Sequence, residues 1–197
     1  MNDSPAPHAS KSELRRRFRA LRRGLSAPER ERRERGLNRR LLAALGEQPR
    51  RLVIAYWPHD GEPDTRPALA ALTLTGTTVA LPVLGPGDDD FMDFRTWTPG
   101  AALAPNRYGI PEPATGAAVD PARADVLLLP LVAWDRDGGR LGMGKAFYDR
   151  TLAPLRGAAA PRRIGVAFAF QETRRLAVDP WDVPLHAVVT DEGWFTF

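Results

Sequence analysis

Val126–Arg150 reads VLLLPLVAWDRDGGRLGMGKAFYDR: an apolar run, a glycine-rich turn holding two basic residues, and the start of a helix that carries an acid. Val126–Trp134 is long and apolar enough for a strand buried on both faces, and Asp135–Gly139 carries the turn chemistry that ends it. A helix is expected over residues 145–156. Gly139, Gly142 and Gly144 let backbone N–H groups approach an anion, and the positive end of the following helix adds to that field. Arg140 brings a planar fork and Lys145 a mobile point charge, while Asp149 is the nearest group for the metal that accompanies a nucleotide. Strand, turn and helix in this order build a nucleotide phosphate site.

Outward from this segment, strands are expected over residues 52–56, 78–84, 91–97, 163–170 and 186–191, with a helix over 65–74. Strands alternating with helices argue for the α/β class: a single three-layer domain over residues 10–197, its mostly parallel central sheet flanked by helices. An N-terminal helical pair precedes the sheet. Ser10 and Glu13 form a capping-box pattern, with Leu14, Phe18 and Leu21 following at helical spacing until Gly24. Ser26 and Glu29 repeat the device, and the second helix runs to about Leu45 with Leu37, Leu41, Leu42 and Leu45 inward. Residues 1–9 read as a disordered tail and Thr98–Asp120 as a long connection. Asp88, Asp89 and Asp90 read as a solvated hairpin tip.

Composition narrows the chemistry. The chain has 197 residues and no cysteine, so there is no disulfide framework, thiolate metal site or cysteine nucleophile. All serines lie at or before Ser26, which argues against a serine hydrolase. His8, His59 and His186 lack ligand spacing for zinc. No stretch is long enough to span a membrane and MNDSPAPHAS lacks a signal-peptide core, so the expected location is cytoplasmic. Net charge is +4, but residues 11–40 hold 13 basic and 4 acidic side chains, a local +9. That arm suits either a polyanion or a solvated helical face.

Of the 28 basic side chains only Lys11 and Lys145 are lysines. A lysine kept in an arginine background suits a moving phosphoryl group, which a compact charge follows better than a planar fork. Gly139–Lys145 nearly fits the pattern G-x-x-x-x-G-K-[ST], but Ala146 stands where a hydroxyl should meet magnesium. A G-x-G-x-x-G reading fails because Phe147 replaces the third glycine. Phosphate binding survives both failures, since glycine N–H groups and Lys145 depend on neither fold. Lys11 and Arg15 lie four apart on one helix face and can reach one anionic ligand.

Arg140–Arg150, RLGMGKAFYDR, resembles the signature of the 5-formyltetrahydrofolate cyclo-ligase family. The resemblance extends to Lys11 and Arg15, to Tyr56–Thr65 (YWPHDGEPDT), Asn106–Pro113 (NRYGIPEP), Leu128–Asp135 and Asp179–Thr190 (DPWDVPLHAVVT). It implies an ATP- and Mg2+-dependent ligase that phosphorylates the formyl oxygen of 5-formyltetrahydrofolate. N10 then attacks, releasing phosphate and ADP and leaving 5,10-methenyltetrahydrofolate. By the same resemblance Lys11, Arg15, Arg140, Leu141, Gly142, Met143, Gly144, Lys145, Ala146, Phe147 and Tyr148 would contact ATP. Trp57 and Glu62 would contact the folate, with Met143–Phe147 shared between the ligands. Asp149 and Asp182 would bind magnesium, and Arg140 and Lys145 would be catalytic. The implied enzyme is a monomer acting on a small molecule, with no nucleic-acid or membrane partner.

Several positions depart from the family pattern. Ala146 stands where glycine is usual, Phe147 where tyrosine is frequent, Met143 at a variable position and His186 where aspartate is common. These departures motivate an alternative, a catalytically weakened paralogue that retains nucleotide or folate binding. A nucleic-acid-binding protein driven by the arm at residues 11–40 is the rival from another class. It requires salt-steep binding that charge reversal of Arg16, Arg19 and Arg23 abolishes.

Overall fold

The structure is a computed structural model and describes residues 9–46, 51–85, 91–157 and 161–197. The tail expected over residues 1–9, apart from Ala9, and the Asp88–Asp90 hairpin tip lie outside the described residues. Helices α1 (Lys11–Arg23) and α2 (Ala27–Gly46) lead the chain. They are followed by strand β1 (Leu52–Ile54), helix α3 (Arg66–Leu74), and strands β2 (Thr78–Leu84), β3 (Met92–Trp97), β4 (Leu103–Pro105) and β5 (Pro111–Pro113). Then come β6 (Val126–Pro130), β7 (Ala133–Trp134), β8 (Arg140–Leu141), helix α4 (Phe147–Thr151), β9 (Arg162–Val166), β10 (Ala187–Val189) and β11 (Trp194–Thr196).

Seven strands form one sheet in the order β11-β10-β9-β6-β1-β2-β3. The five inner strands run parallel, and β3 and β11 close the two edges antiparallel. This is the mostly parallel α/β sheet expected from the alternation of elements. β6 lies at its centre because both of its faces are apolar: Val126 and Leu128 join the core beneath α2 and α3, while Leu127 and Leu129 join the core on the other side. All four are at most 1% exposed. Burying such side chains contributes roughly 1.5–3 kcal/mol each, which fixes the strand in the interior.

The central stretch differs from the expected single strand over 126–134. The ladder ends at Pro130, and the chain turns into a β7–β8 hairpin that pairs Ala133 with Leu141 and Trp134 with Arg140. Asp135 explains the turn. Its carboxylate, 1% exposed, accepts backbone N–H bonds from Asp137 and Gly139, and from Leu176 of a distant loop. A Cβ on Gly139 would sit 2.8 Å from that carboxylate, so the glycine serves the hairpin and its N–H is already used. Gly139 is therefore not part of an anion cradle.

The helix expected over residues 145–156 is also shorter. α4 has five residues and is followed by a single 3-10 turn, Ala153–Leu155, so this sheet face is covered by Phe147, Tyr148, Leu152 and Leu155 and by irregular chain. So short a helix contributes little dipole to the turn before it.

In α1 the capping box at Ser10 and Glu13 forms, but the inward stripe is Leu14, Phe18 and Arg22. Leu21, expected inward, is 45% exposed. An 18-to-22 step stays closer to the stripe than 18-to-21, and the buried arginine finds enough acceptors to remain there. In α2, Leu37, Leu41 and Leu45 are buried as expected, and Leu42 packs at the edge of the same core.

Candidate functional site

The carboxyl ends of β6, β1 and β2 open into a cavity of about 520 Å3. That is where ligands bind in open α/β sheets, and the volume suits a medium-sized organic molecule. The residues expected to meet a ligand all line it: Lys11, Arg15, Trp57, Glu62, the whole run Arg140–Asp149, and Asp182. Four separate chain segments are thus brought to one place.

The signature turn supplies charge in two forms. Arg140 is 4% exposed at its side chain and its Nη2 donates to Asp149 Oδ1 at 2.5 Å. Its Nε is buried with no hydrogen-bond partner, an orphaned donor that fits an anionic ligand. Asp149 holds Arg140 and accepts from the Val183 N–H at 3.2 Å. Lys145 is exposed, and its Nζ lies 5.9 Å from the Tyr108 ring. Leu141 buries its side chain among Leu14, Phe18 and Val132, and its carbonyl accepts the Val132 N–H at 2.7 Å.

Backbone geometry shapes the same turn. Gly144 (φ +99°) and Ala146 (φ 52°) are both left-handed. Alanine pays for this conformation with a Cβ clash of about 1 kcal/mol that glycine escapes. The departure from glycine at this position is thus a departure where glycine has a physical advantage.

Helix α1 meets the turn from the side. Arg15 Nε donates to the Gly142 carbonyl at 2.9 Å, and Lys11 Nζ lies 2.6 Å from Asp179 Oδ2 and 3.6 Å from Asp182 Oδ2. Partial burial opposes the Lys11 charge, but the two aspartates outweigh it and raise its pKa. Asp182 also accepts the Asp179 N–H at 2.8 Å, so it is a turn residue and a cavity carboxylate at once. Asp179 escaped the sequence reading, although the D-x-x-D spacing of DPWD was visible.

The cavity's other wall comes from the turn after β1. Trp57 is half-buried, edge-on to Trp97 at 6.1 Å and beneath the Arg66 guanidinium at 5.1 Å. Glu62 is 9% exposed at its side chain and accepts the His59 N–H at 3.0 Å. Burial pushes its pKa up to about 7, against the pull of Arg22. Burial and the neighbouring Glu62 also push Tyr148 and Tyr56 above the usual phenol range, keeping both hydroxyls protonated. Tyr108, carried by the β4–β5 hairpin, meets Phe147 edge-on at 6.0 Å. Its role could not be found from the sequence, because nothing local shows that this hairpin reaches the turn.

Among the described residues no group of three or more His, Cys, Asp or Glu could hold a metal by itself. The two carboxylates Asp149 and Asp182 fit a magnesium ion that arrives with a nucleotide, since magnesium takes one or two carboxylates and fills its other positions with phosphate oxygens and water. His186 lies away from the cavity, with Nδ1 accepting the Arg163 N–H at 3.0 Å; burial and Arg163 lower its pKa and keep it neutral. In the basic arm, Arg19, Arg22 and Arg23 pair with Asp60, and Arg33 pairs with Asp191. Part of the arm's charge is therefore used within the fold. None of the helices, among the described residues, is long and apolar enough to cross a membrane.

Residues 7–191 match the model of the 5-formyltetrahydrofolate cyclo-ligase family. The chain is 30% identical over 181 residues to the 5-formyltetrahydrofolate cyclo-ligase of Haemophilus influenzae, an alignment covering 91% of this chain and 96% of that one. It is 41% identical over 140 residues to the protein of the same name from Escherichia coli K12, covering 70% and 76%. Its backbone is similar to the 5,10-methenyltetrahydrofolate synthetase of Mycoplasma pneumoniae, with a TM-score of 0.76, 26% identity, and coverage of 93% and 99%. The Aquifex aeolicus 5,10-methenyltetrahydrofolate synthetase gives a TM-score of 0.76 at 32% identity, covering 94% and 92%.

Proposed function

The chain belongs to the 5-formyltetrahydrofolate cyclo-ligase family and is a ligase, and from that premise we propose that it converts 5-formyltetrahydrofolate to 5,10-methenyltetrahydrofolate with ATP and magnesium, as a monomeric cytoplasmic enzyme folded as one domain over residues 10–197. The observation that carries this reading is the single cavity that collects Arg140, Lys145, Asp149, Asp182, Trp57 and Glu62. It offers cations for phosphates, carboxylates for a divalent ion, and an aromatic face with a carboxylate for a ring bearing N–H donors.

The chemistry follows from a poor leaving group. A formamide oxygen leaves only after phosphorylation, so the formyl oxygen takes the γ-phosphoryl group and ADP departs. The N10 lone pair then attacks the activated carbon, N10 loses its proton, and the C–O bond breaks to release phosphate. Arg140, fixed by Asp149, holds phosphate oxygens in one place. Lys145, exposed and carried on a four-carbon stem, follows the group that moves between donor and acceptor oxygens. Lys11 and Arg15 bring further positive charge from α1. Magnesium, held by Asp149 and Asp182, would neutralise phosphate charge. Glu62 accepts N–H donors of the pterin ring, while Trp57 and Phe147 offer faces for it. Alignment of the two substrates supplies much of the rate.

The test is absorbance at the methenyl chromophore when purified protein meets 5-formyltetrahydrofolate, magnesium and ATP, with Lys145→Ala alongside. The expected result is an ATP- and magnesium-dependent rise that the variant loses. Absence of a rise from folded protein that still binds ATP would favour the second reading, a weakened paralogue, which the left-handed Ala146 motivates.

A further inference from the structure

Arg22 lies outside the cavity lining, is fully buried, and is the last inward residue of α1. Its guanidinium is shared among three segments. Nε donates to the Asp60 carbonyl at 2.8 Å, Nη1 to the Leu131 carbonyl at 3.2 Å, and Nη2 to Asp60 Oδ2 at 2.8 Å. Nη2 also approaches Met143 Sδ at 3.6 Å and Glu62 Oε1 at 3.9 Å. Asp60 and Gly61 are both left-handed, so the turn from His59 to Glu62 is tight and has few alternative shapes. Arg30 supports the same junction by donating to the Arg22 and Gly61 carbonyls. One side chain thus touches the end of the central strand, the signature turn and the turn carrying Glu62.

We infer that Arg22 is a positioning residue for the folate side of the cavity, its guanidinium fixing from helix α1 the turn that presents Glu62 to the substrate. This rests on the reading that Glu62 meets the folate. Lys11 and Arg15 belong to the same helix, so the element that reaches the nucleotide side also sets the folate side. The groups around Glu62 are Arg22 from α1, Asp60 and the His59 N–H from its own turn, Tyr56 beyond β1 and Tyr148 from α4. Arg22 alone among them is a cation, and its pull opposes the effect of burial. Removing it favours protonated Glu62 and weakens acceptance of pterin N–H donors.

The test uses the full chain and steady-state kinetics with each substrate varied. Arg22→Met is expected to raise KM for 5-formyltetrahydrofolate at least tenfold while KM for ATP moves less than threefold. The acid limb of kcat/KM for the folate is expected to move up by about one pH unit. In a Glu62→Gln background the same change adds less than threefold to the folate KM. Arg22→Lys keeps the charge without the three-way reach, so it restores the acid limb but leaves the folate KM raised. Should Arg22→Met fail to fold, Arg22→Lys made with and without Glu62→Gln gives the same comparison. Equal rises in both KM values, an acid limb unmoved in Arg22→Met, or an undiminished KM effect of either variant in the Glu62→Gln background would show a merely structural arginine and overturn the inference. Failure of the parent reading looks different: the wild-type protein would neither turn over nor bind the folate, and both would fall.

Discussion

The turn at residues 59–62 and the turn at residues 142–146 line the same cavity and each passes twice through left-handed backbone, yet their charges are treated in opposite ways. In the first, three arginines converge on Asp60, whose carboxylate is 3% exposed. Burial alone would raise the pKa of Asp60, but hydrogen bonds from Arg19, Arg22 and Arg23 overcome it and hold the carboxyl well below the usual range. In the second, Met143, Gly144 and Lys145 are exposed, and Lys145 makes no ion pair with a described residue. The wall that carries Glu62 is built from internal ion pairs, whereas the turn that carries Lys145 leaves its cation exposed to the cavity.

The sharpest way to break this contrast is Lys145→Ala. On the proposed role of Lys145 at the transferring group, kcat is expected to fall by about 100-fold or more, while stability, measured by urea unfolding, changes by less than about 0.5 kcal/mol because the side chain is exposed. An equal loss of stability would place Lys145 in the scaffold.

Asp60→Asn probes the other turn. Asparagine tolerates left-handed backbone, so the substitution removes charge with little change of shape and deprives the buried Arg22 cation of its closest carboxylate. A destabilisation of about 3–5 kcal/mol is expected in urea unfolding. A change under 1 kcal/mol would show that the turn does not depend on this ion pair.

The pH dependence separates the turns further. The folded protein keeps a proton on Glu62 up to about pH 7, whereas the unfolded chain releases it near 4.5. Between those values the folded state binds more protons, so Glu62's contribution to stability falls as pH rises, by about 3 kcal/mol at most. Glu62→Gln should flatten the urea-midpoint profile over that window. Asp60 acts oppositely and lower: its contribution is complete above about 3.8 and is lost as pH falls further. Substrate affinity should follow the ionised carboxylate, with the folate KM rising as pH drops below about 7. An identical stability profile in Glu62→Gln would show that Glu62 titrates normally.

The smallest effect expected is that of Ala146→Gly. Relief of left-handed strain, partly offset by a more flexible unfolded chain, gives a gain of at most about 1 kcal/mol. Turnover should stay within about threefold. A tenfold rise would instead identify the methyl group as the cause of a weakened enzyme.

Much of this site could be read from residue order because its key groups are local. Arg140, Lys145 and Asp149 fall within ten residues, and the apolar run at Val126–Leu129 could belong only inside a covered sheet. Where the reading failed, the cause was a partner distant in the chain. Leu21 looked like the third inward residue of α1 because no pattern announces that Asp60 and Leu131 would accept from Arg22. The strand expected to reach Trp134 stops at Pro130 because Asp135 binds Leu176, some forty residues away. The sequence marks Asp149 as an acid beside a phosphate turn, but only the hairpin, by folding the chain back, sets it against Arg140.

The sequence by itself determined the class of sheet, the order of its elements and the clustering of glycine, basic and acidic residues in one short segment, since hydrophobic period and residue placement are properties of short segments. Only the tertiary structure decided which charges are spent inside the fold and which are left for a ligand. That choice depends on burial and on partners brought together from α1, the turn after β1, the hairpin and the C-terminal loop, and the free energy of a charge is set by what surrounds it rather than by what precedes it in the chain.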